Sequence, residues 1–319
     1  MTTIAGVTRV TVLGAGTIGA SWCAFFLAKG LDVVAYDVGP DSERNLFAFV
    51  EAAWPTLAAL GLSRGASISR LRYASDLSEA CEGADFVQEC APERIDLKVA
   101  LFEKVDSHIR ADVLIASSSS ALTVSEMQTG CLRPERVVLG HPFNLPHIMP
   151  LVEIAGGART SKEALDRATA FYEALGKSPI RMNKEVYGHV ANRIQGAVFR
   201  EAIHMLESGV ASLGDIDKAI TDGPGLRWAL MGPFLTYHLA GGAGGMAGFM
   251  QQFAPMQRKL WGELGTPALD ETLQHTVVEA MRRELDGVAI ADLVARRDLS
   301  LISLLKSRYA AATADPLNR

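Results

Sequence analysis

The chain has 319 residues, of which 49% are hydrophobic and 21% are charged, and its formal net charge is -5 at pH 7. This length allows two domains, and the negative charge argues against nucleic acid as a partner, since phosphate binding needs a basic surface. No apolar run approaches the roughly 20 residues of a membrane span. The first residues, MTTIAGVTR, lack a basic patch followed by a long apolar segment, so we expect no secretory signal.

The cysteines indicate a reducing compartment and no metal centre. There are four, and they show neither the paired spacing of a metal site nor the density of a disulfide scaffold. They are Cys23, Cys81, Cys90 and Cys131. We therefore expect a cytoplasmic protein without a bound metal.

The first half of the chain alternates short apolar runs with helix-length segments, which is typical of parallel β/α units. The predicted strands are residues 9–14, 31–37, 70–74, 85–90, 112–117, 136–141, 150–155 and 178–182. Helices are predicted after the first strand (17–30), after the second (42–60) and between the last two, where Ser161 and Gly176 are the expected caps.

Beyond about residue 186 the strand signals stop and helical spacing continues to about residue 309. Ser212 is the predicted N-cap of one of these helices. We predict an α/β protein with an N-terminal Rossmann-type, mostly parallel sheet and a C-terminal all-helical domain. The expected domains are residues 1–186, which bind a dinucleotide, and 187–319, which bind the substrate and dimerise.

The stretch VTVLGAGTIGASW places Gly14, Gly16 and Gly19 between the first strand and the first helix. Such glycines can make a tight corner in a core, or they can form the turn and the close backbone approach of a dinucleotide site. Asp37 ends the second strand, 18 positions after Gly19. A carboxylate there can accept both ribose hydroxyls and would repel a 2′-phosphate, so we expect NAD rather than NADP.

His141 ends a predicted strand in GHPFNLPHIMPLVEI, and Glu153 follows twelve positions later in the next strand. A histidine has the pKa of an acid–base catalyst, and a carboxylate can orient it, but a strand-end histidine can also be purely structural. The serines of ASSSSAL either contact a substrate oxygen or cap a helix. The remaining histidines are predicted to be structural: His108, His147, His189, His204, His238 and His275.

Several segments together resemble the 3-hydroxyacyl-CoA dehydrogenase family over essentially the whole chain. They are VLGAGTIGASW, FVQECAPERIDLK, IASSSSAL, GHPFNLPHIMPLVEI, GHVANRI and GLRWALMGPF. The resemblance implies a catalytic pair of His141 and Glu153, with Ser120 and Asn192 at the substrate. It also implies a set of NAD-binding residues: Gly14, Gly16, Thr17, Ile18, Gly19, Asp37, Glu93, Lys98, Ser120 and Asn144.

Within this family the chain is most similar to a branch that contains L-carnitine dehydrogenases and lambda-crystallin, an L-gulonate 3-dehydrogenase. Members that act on acyl-CoA carry a long, lysine-rich insertion after the second strand, whereas residues 60–72 here are short and lack lysine. A free 3-hydroxy acid is therefore expected as the substrate, with L-carnitine first and L-gulonate or 3-hydroxybutyrate next. An L-3-hydroxyacyl-CoA is the alternative. Arg227 is a candidate to bind the substrate carboxylate, and Trp228 is a candidate to bind a trimethylammonium group.

The resemblance further implies a homodimer formed through the helical domain. Two other functions are alternatives. Dehydrogenases of the 3-hydroxyisobutyrate type use a lysine four residues before the asparagine, where this chain has Gly188. A crystallin-like protein that binds NADH without turnover is the non-enzymatic alternative, and the joint presence of His141, Glu153, Ser120 and Asn192 favours activity.

Overall fold

The computed structural model describes residues 2–314, and its largest feature is an eight-stranded sheet. The strands are β1 (Arg9–Leu13), β2 (Asp32–Tyr36), β3 (Leu71–Tyr73), β4 (Phe86–Glu89), β5 (Leu114–Ser117), β6 (Val137–Pro142), β7 (Leu151–Gly156) and β8 (Ser178–Arg181). All eight predicted strands are present, and each boundary lies within two residues of the prediction.

The strand order is β3-β2-β1-β4-β5-β6-β7-β8. Strands β1 to β6 are parallel to one another, β7 runs antiparallel to β6, and β8 is parallel to β7. The chain order reverses between β1 and β4, and open α/β sheets bind ligands beyond the strand ends at such a switch point. The mostly parallel Rossmann-type sheet is confirmed.

Six helices connect the strands of the sheet. They are α1 (Thr17–Ala28), α2 (Ser42–Leu60), α3 (Leu77–Cys81), α4 (Ile95–His108), α5 (Val124–Met127) and α6 (Lys162–Ala174). The bounds of α2 are those predicted, and Ser161 caps α6 by accepting a hydrogen bond from the Ala164 N–H, as expected.

Two apolar clusters cover the two faces of the sheet, because successive strand residues point to opposite faces. One cluster contains Val33 and Ala35 of β2, together with Trp22 and Phe26 of α1. The other contains Val34, which lies between those two residues along the strand, and residues of α4 and α5. The sheet is therefore buried on both sides, which leaves its carboxyl edge to carry polar groups.

The remaining elements are helical, as predicted. They are α7 (Ala191–Glu207), α8 (Leu213–Thr221), α9 (Pro224–Trp228), α10 (Pro233–Ala240), α11 (Gly245–Glu263), α12 (Glu271–Leu285) and α13 (Ile290–Ala314). Ser212 caps α8 through the Asp215 N–H. No helix within residues 2–314 is long and apolar enough to cross a membrane.

The chain forms two compact units. The first comprises the sheet, the chain up to Asn192 and residues Arg297–Lys306 of α13. The second comprises Arg193–Arg296 and the residues of α13 from Ser307 onward. The catalytic and cofactor-binding residues predicted from the sequence lie in the first unit, and Arg227 and Trp228 lie in the second.

Candidate active site

The three glycines after β1 occupy different environments. Gly14 has a φ of +97°, and a Cβ there would lie 2.5 Å from the Cys90 carbonyl oxygen. A Cβ on Gly19 would lie 1.8 Å from the Gly14 carbonyl oxygen, so helix α1 approaches the loop too closely for a side chain. A Cβ on Gly16 would have no heavy atom within 4 Å. Gly14 and Gly19 thus form the turn and the close packing, and Gly16 leaves open space above the backbone.

Helix α1 begins at this open space. Gly16 is its N-cap residue and provides no side-chain cap. The first N–H groups of a helix, here those of Thr17 and Ile18, have no acceptor within the helix, and with the helix dipole they favour an anion. Thr17 is exposed and Ile18 is half-buried. The loop therefore fits the pyrophosphate of a dinucleotide.

Asp37 follows β2 and borders the same loop. Its Oδ2 accepts a hydrogen bond from the Ala15 N–H at 2.6 Å, and its Oδ1 accepts one from the Gly39 N–H at 2.7 Å. A mostly apolar cavity of about 280 Å³ adjoins it, with Tyr36, Leu97 and Leu101 among its lining residues. A carboxylate at the mouth of an apolar cavity suits the ribose and adenine of NAD.

Glu93 holds the loop that follows β5. Its Oε1 accepts hydrogen bonds from the Ser119 Oγ at 2.6 Å and from the Ala121 N–H at 2.9 Å. The Ser120 Oγ lies 3.5 Å from the same oxygen. Burial opposes ionisation, but the hydrogen bond from Ser119 and the charge of Lys98 keep the pKa of Glu93 below its ordinary value. Glu93 is therefore an anion that fixes this loop, residues 118–123, which we call the serine loop.

Lys98 lies behind Glu93, with only 1% of its surface exposed. Its ammonium donates to the Glu89 Oε1 at 2.6 Å and to the Ala91 carbonyl at 3.0 Å, and it lies 3.7 Å from the Glu93 Oε2. Two carboxylates and a carbonyl thus surround the charge. Asn144, another predicted cofactor residue, is exposed in the loop between β6 and β7.

His141 and Glu153 form a buried pair. The His141 Nδ1–H donates to the Glu153 Oε2 at 2.8 Å, and since a carboxylate only accepts, Nδ1 carries the proton. The other oxygen, Oε1, accepts hydrogen bonds from the N–H groups of Val190 and Ala191 at 2.8 and 3.0 Å. Burial alone would raise the pKa of Glu153, but these hydrogen bonds hold it below its ordinary value.

The start of α7 connects this pair to the serine loop, because Ala191 bonds to Glu153 and Asn192 bonds to the loop. The Asn192 Nδ2 donates to the Ser120 carbonyl oxygen at 3.3 Å. The sequence-predicted residues His141, Glu153, Ser120 and Asn192 therefore share one edge of the first unit. Because Nδ1 of His141 donates to Glu153, Nε2 of the neutral imidazole is the nitrogen that can take a proton from an alcohol.

One buried histidine at this site was predicted to be only structural. His189 lies with its ring centroid 5.0 Å from that of His141, and its Nε2–H donates to the Ser119 carbonyl at 2.9 Å. The sequence signal that could have indicated a place at this site is the position of His189, which directly follows Gly188 and lies three residues before Asn192. Arg227 and Trp228 lie on α9, and the side chain of Trp228 is 41% exposed.

Models of the two domains of one protein family match the chain. The 3-hydroxyacyl-CoA dehydrogenase NAD-binding domain matches residues 9–186, and the C-terminal domain of the same family matches residues 188–280. The two matches together cover the glycine loop, the His141–Glu153 pair and most of the helical part of the chain.

Two similar proteins are L-carnitine dehydrogenases. The one from Streptomyces coelicolor is 50% identical over 307 residues, which are 96% of this chain and 96% of that protein. The one from Pseudomonas aeruginosa is 44% identical over 321 residues, covering 99% of this chain and 100% of that protein.

A solved structure has the same fold. It is that of 5-formyl-3-hydroxy-2-methylpyridine 4-carboxylic acid 5-dehydrogenase, an NAD+-dependent dismutase. The two structures align with a TM-score of 0.82 and 26% identity, over 95% of this chain and 99% of that chain. The domain matches cover the whole of the sheet and most of the helical part, and the relatives are similar over nearly the full chain. The chain belongs to the 3-hydroxyacyl-CoA dehydrogenase family, and it is an NAD-dependent dehydrogenase of 3-hydroxy acids.

Proposed function

We propose that the substrate is free L-carnitine, which is oxidised at C3 to the 3-keto acid. The observation that carries this proposal is the identity of 44–50% with L-carnitine dehydrogenases over nearly the full chain. The connection from α2 to β3 supports it. This segment contains only a short loop and one 3-10 turn at Ile68–Arg70, and no lysine occurs between residues 38 and 97. A lysine-rich helix that could bind coenzyme A phosphates is therefore missing from this part of the chain.

We assign proton transfer to His141. Its Nδ1–H is committed to Glu153, so the bare Nε2 takes the proton of the C3 hydroxyl while the C3 hydride leaves and the C–O bond becomes a carbonyl. NAD, when bound, supplies the hydride acceptor. Glu153 orients the imidazole and stabilises its cation. Ser120 and Asn192 are assigned to the substrate oxygen, and in the reverse direction His141 returns the proton.

We assign NAD binding to the first domain. The N–H groups of Thr17 and Ile18, which follow the loop of Gly14, Gly16 and Gly19, would hold the pyrophosphate, and Asp37 would hold the adenosine ribose. Glu93, Ser120 and Asn144 are assigned to the nicotinamide end. Lys98 is assigned a supporting role, because its ammonium is already neutralised by Glu89 and Glu93.

Residues 187–319 are proposed to recognise the substrate and to dimerise. Arg227 is assigned to the carnitine carboxylate and Trp228 to the trimethylammonium group, because a cation without N–H groups is held by aromatic faces. Large hydrophobic side chains are exposed on this unit, among them Phe234 at 82% and Leu230 at 69%. Apolar surface of this extent is typical of an interface, so light scattering should give twice the mass of one chain. The four free cysteines support a cytoplasmic location.

The proposed substrate is tested by comparing the two enantiomers of carnitine. NADH formation is followed with L-carnitine and with D-carnitine at equal concentrations. Turnover with L-carnitine alone is expected, because the oxygen and hydrogen of C3 must face His141 and the nicotinamide at the same time. The absence of turnover with L-carnitine would contradict the proposal.

The variant Trp228→Ala tests the assigned cation site. It should raise the KM for L-carnitine more than the KM for 3-hydroxybutyrate, which has no ammonium group. Trp261→Ala, which removes another exposed tryptophan of the same unit, is the matched control. Equal changes in the two KM values would contradict the role of Trp228.

A further inference from the structure

His189 is a buried side chain between the catalytic pair and the serine loop. Only 3% of its surface is exposed. Its Nε2 carries a proton, because its partner is the Ser119 carbonyl oxygen, which only accepts. Nδ1 is buried and has no hydrogen-bond partner among the described residues.

The surroundings keep this ring neutral. Protonation of Nδ1 would bury an unpaired, positively charged N–H group 5.0 Å from the ring of His141. Burial lowers the pKa of His189, and the neighbouring His141 lowers it further, although the hydrogen bond to Ser119 acts in the opposite direction. A neutral ring with one N–H donor is suited to hold a carbonyl, and it is not suited to exchange protons with a substrate.

The backbone at His189 is strained. Its φ is +52°, and the preceding Gly188 has a φ of +76°. A left-handed conformation is disfavoured for a residue with a side chain, so contacts elsewhere must maintain it. The segment of residues 188–192, which consists of this turn and the first two residues of α7, directs the N–H groups of Val190 and Ala191 to the Glu153 Oε1. We refer to it as the Glu153-binding turn.

Two side chains attach the Glu153-binding turn to the serine loop. The His189 Nε2–H donates to the Ser119 carbonyl, and the Asn192 Nδ2 donates to the Ser120 carbonyl. Of these two bonds, the one from His189 is buried and measures 2.9 Å, whereas the one from Asn192 is exposed and measures 3.3 Å. The His189 bond is therefore the stronger restraint on the turn.

We propose that His189 is a positioning residue whose Nε2–H holds the Glu153-binding turn against Ser119. Through the two backbone N–H groups it keeps Glu153, and hence His141, in the orientation for proton transfer, and it keeps Ser120 in register with them. This inference rests on the proposed role of His141 as the base. It gives the histidine before α7 a function that does not require contact with substrate.

Three substitutions separate the hydrogen bond from the backbone conformation. His189→Gln retains an N–H donor at about the same distance from the backbone as the histidine Nε2. His189→Asn retains a residue that tolerates positive φ, but its shorter amide does not reach the Ser119 carbonyl. His189→Phe retains an aromatic ring without the donor. We expect kcat for the best hydroxy acid to fall about tenfold or more in the Asn and Phe variants and less than threefold in the Gln variant.

Two further measurements separate positioning from general damage to the fold. The dissociation constant of NADH should change less than twofold in all three variants. The low-field proton resonance of His141 Nδ1–H, bonded to Glu153, should persist in wild type and in His189→Gln and should shift or broaden in His189→Phe. This resonance needs no substrate, so it tests the positioning role even if the enzyme turns over no tested hydroxy acid, which would refute the proposed function separately.

The expected result is loss of kcat with the Asn and Phe variants, near-normal kcat with the Gln variant and unchanged NADH binding. Normal kcat in His189→Phe together with an unchanged His141 resonance would overturn the proposal. So would a loss in His189→Gln as large as that in His189→Phe, because the donor would then not be the feature that matters.

Discussion

His141 and Glu153 lie directly opposite each other on the antiparallel strands β6 and β7, and the imidazole Nδ1 is 2.8 Å from the carboxylate Oε2. The sheet is parallel up to β6, so the reversal at β7 is what places a carboxylate beside a histidine at the carboxyl end of β6. Cross-strand neighbours have Cβ atoms about 5 Å apart, and the backbone of two strands therefore sets the geometry of the pair.

Replacement of His141 by glutamine should abolish most of the activity. Glutamine cannot take the hydroxyl proton, so kcat should fall by about 10²–10⁴-fold, while the NADH dissociation constant stays within about twofold of wild type. Steady-state kinetics and an NADH fluorescence titration measure the two quantities. His108→Gln, at an exposed histidine of α4, is the control. A His141→Gln enzyme with nearly normal kcat would rule out His141 as the base.

Glu153→Gln should be less damaging than His141→Gln and should change the pH profile. The substitution leaves an acceptor for His141 but removes the negative charge that stabilises the imidazolium. The acidic limb of kcat against pH should therefore move to lower pH, because the protonated ring is disfavoured. Rates measured from pH 5 to 9 test this, and a profile superimposable on that of wild type would show that the charge of Glu153 does not act on His141.

Coenzyme preference should depend on Asp37. Asp37→Ser removes the carboxylate that accepts ribose hydroxyls and repels a 2′-phosphate, so the ratio of kcat/KM for NAD to that for NADP should fall, mainly through weaker use of NAD. Asp41→Ser, at an exposed aspartate four residues later, should leave the ratio unchanged. Equal wild-type efficiency with NAD and NADP would contradict the assignment.

His147 should make the fold sensitive to acid. Burial lowers the pKa of His147 from 6.5 to about 4. The unfolded chain therefore binds more protons between those pH values, so stability is full above about pH 6.5 and is lost as the pH falls toward 4. From pH 7.5 to pH 5 the lost free energy of unfolding is about 2 kcal/mol.

Urea denaturation of wild type and His147→Gln at both pH values isolates this contribution. The variant should be less stable at pH 7.5, since the hydrogen bond between the ring Nδ1 and the Ser21 hydroxyl is lost, but it should lose about 2 kcal/mol less on acidification. An equal loss in both proteins would show that His147 does not titrate in this range.

Local sequence signals were sufficient to predict most of the fold. Apolar runs located the strands, and Ser161 and Ser212 marked two helix starts because their hydroxyls accept hydrogen bonds from N–H groups three residues later. The antiparallel direction of β7 did not follow from these signals, because it depends on how a tertiary connection returns to the sheet.

The site was predictable where residues lie at strand ends, as with His141 and Asp37. One feature depended on a contact between distant segments. Ser119 and His189 are 70 residues apart and meet only through a left-handed turn. The family resemblance gave Lys98 as an NAD-binding residue, and it did not indicate that the ammonium is buried against Glu89 at the end of β4.

The proposed substrate is tested most directly by a comparison of kcat/KM for L-carnitine, L-gulonate, 3-hydroxybutyrate and 3-hydroxybutyryl-CoA, each with saturating NAD under one set of conditions. We predict the highest value for L-carnitine and a poor value for the CoA ester, because no lysine between residues 38 and 97 is available for its phosphates. A clear preference for 3-hydroxybutyryl-CoA would contradict the assignment of a free 3-hydroxy acid as the substrate.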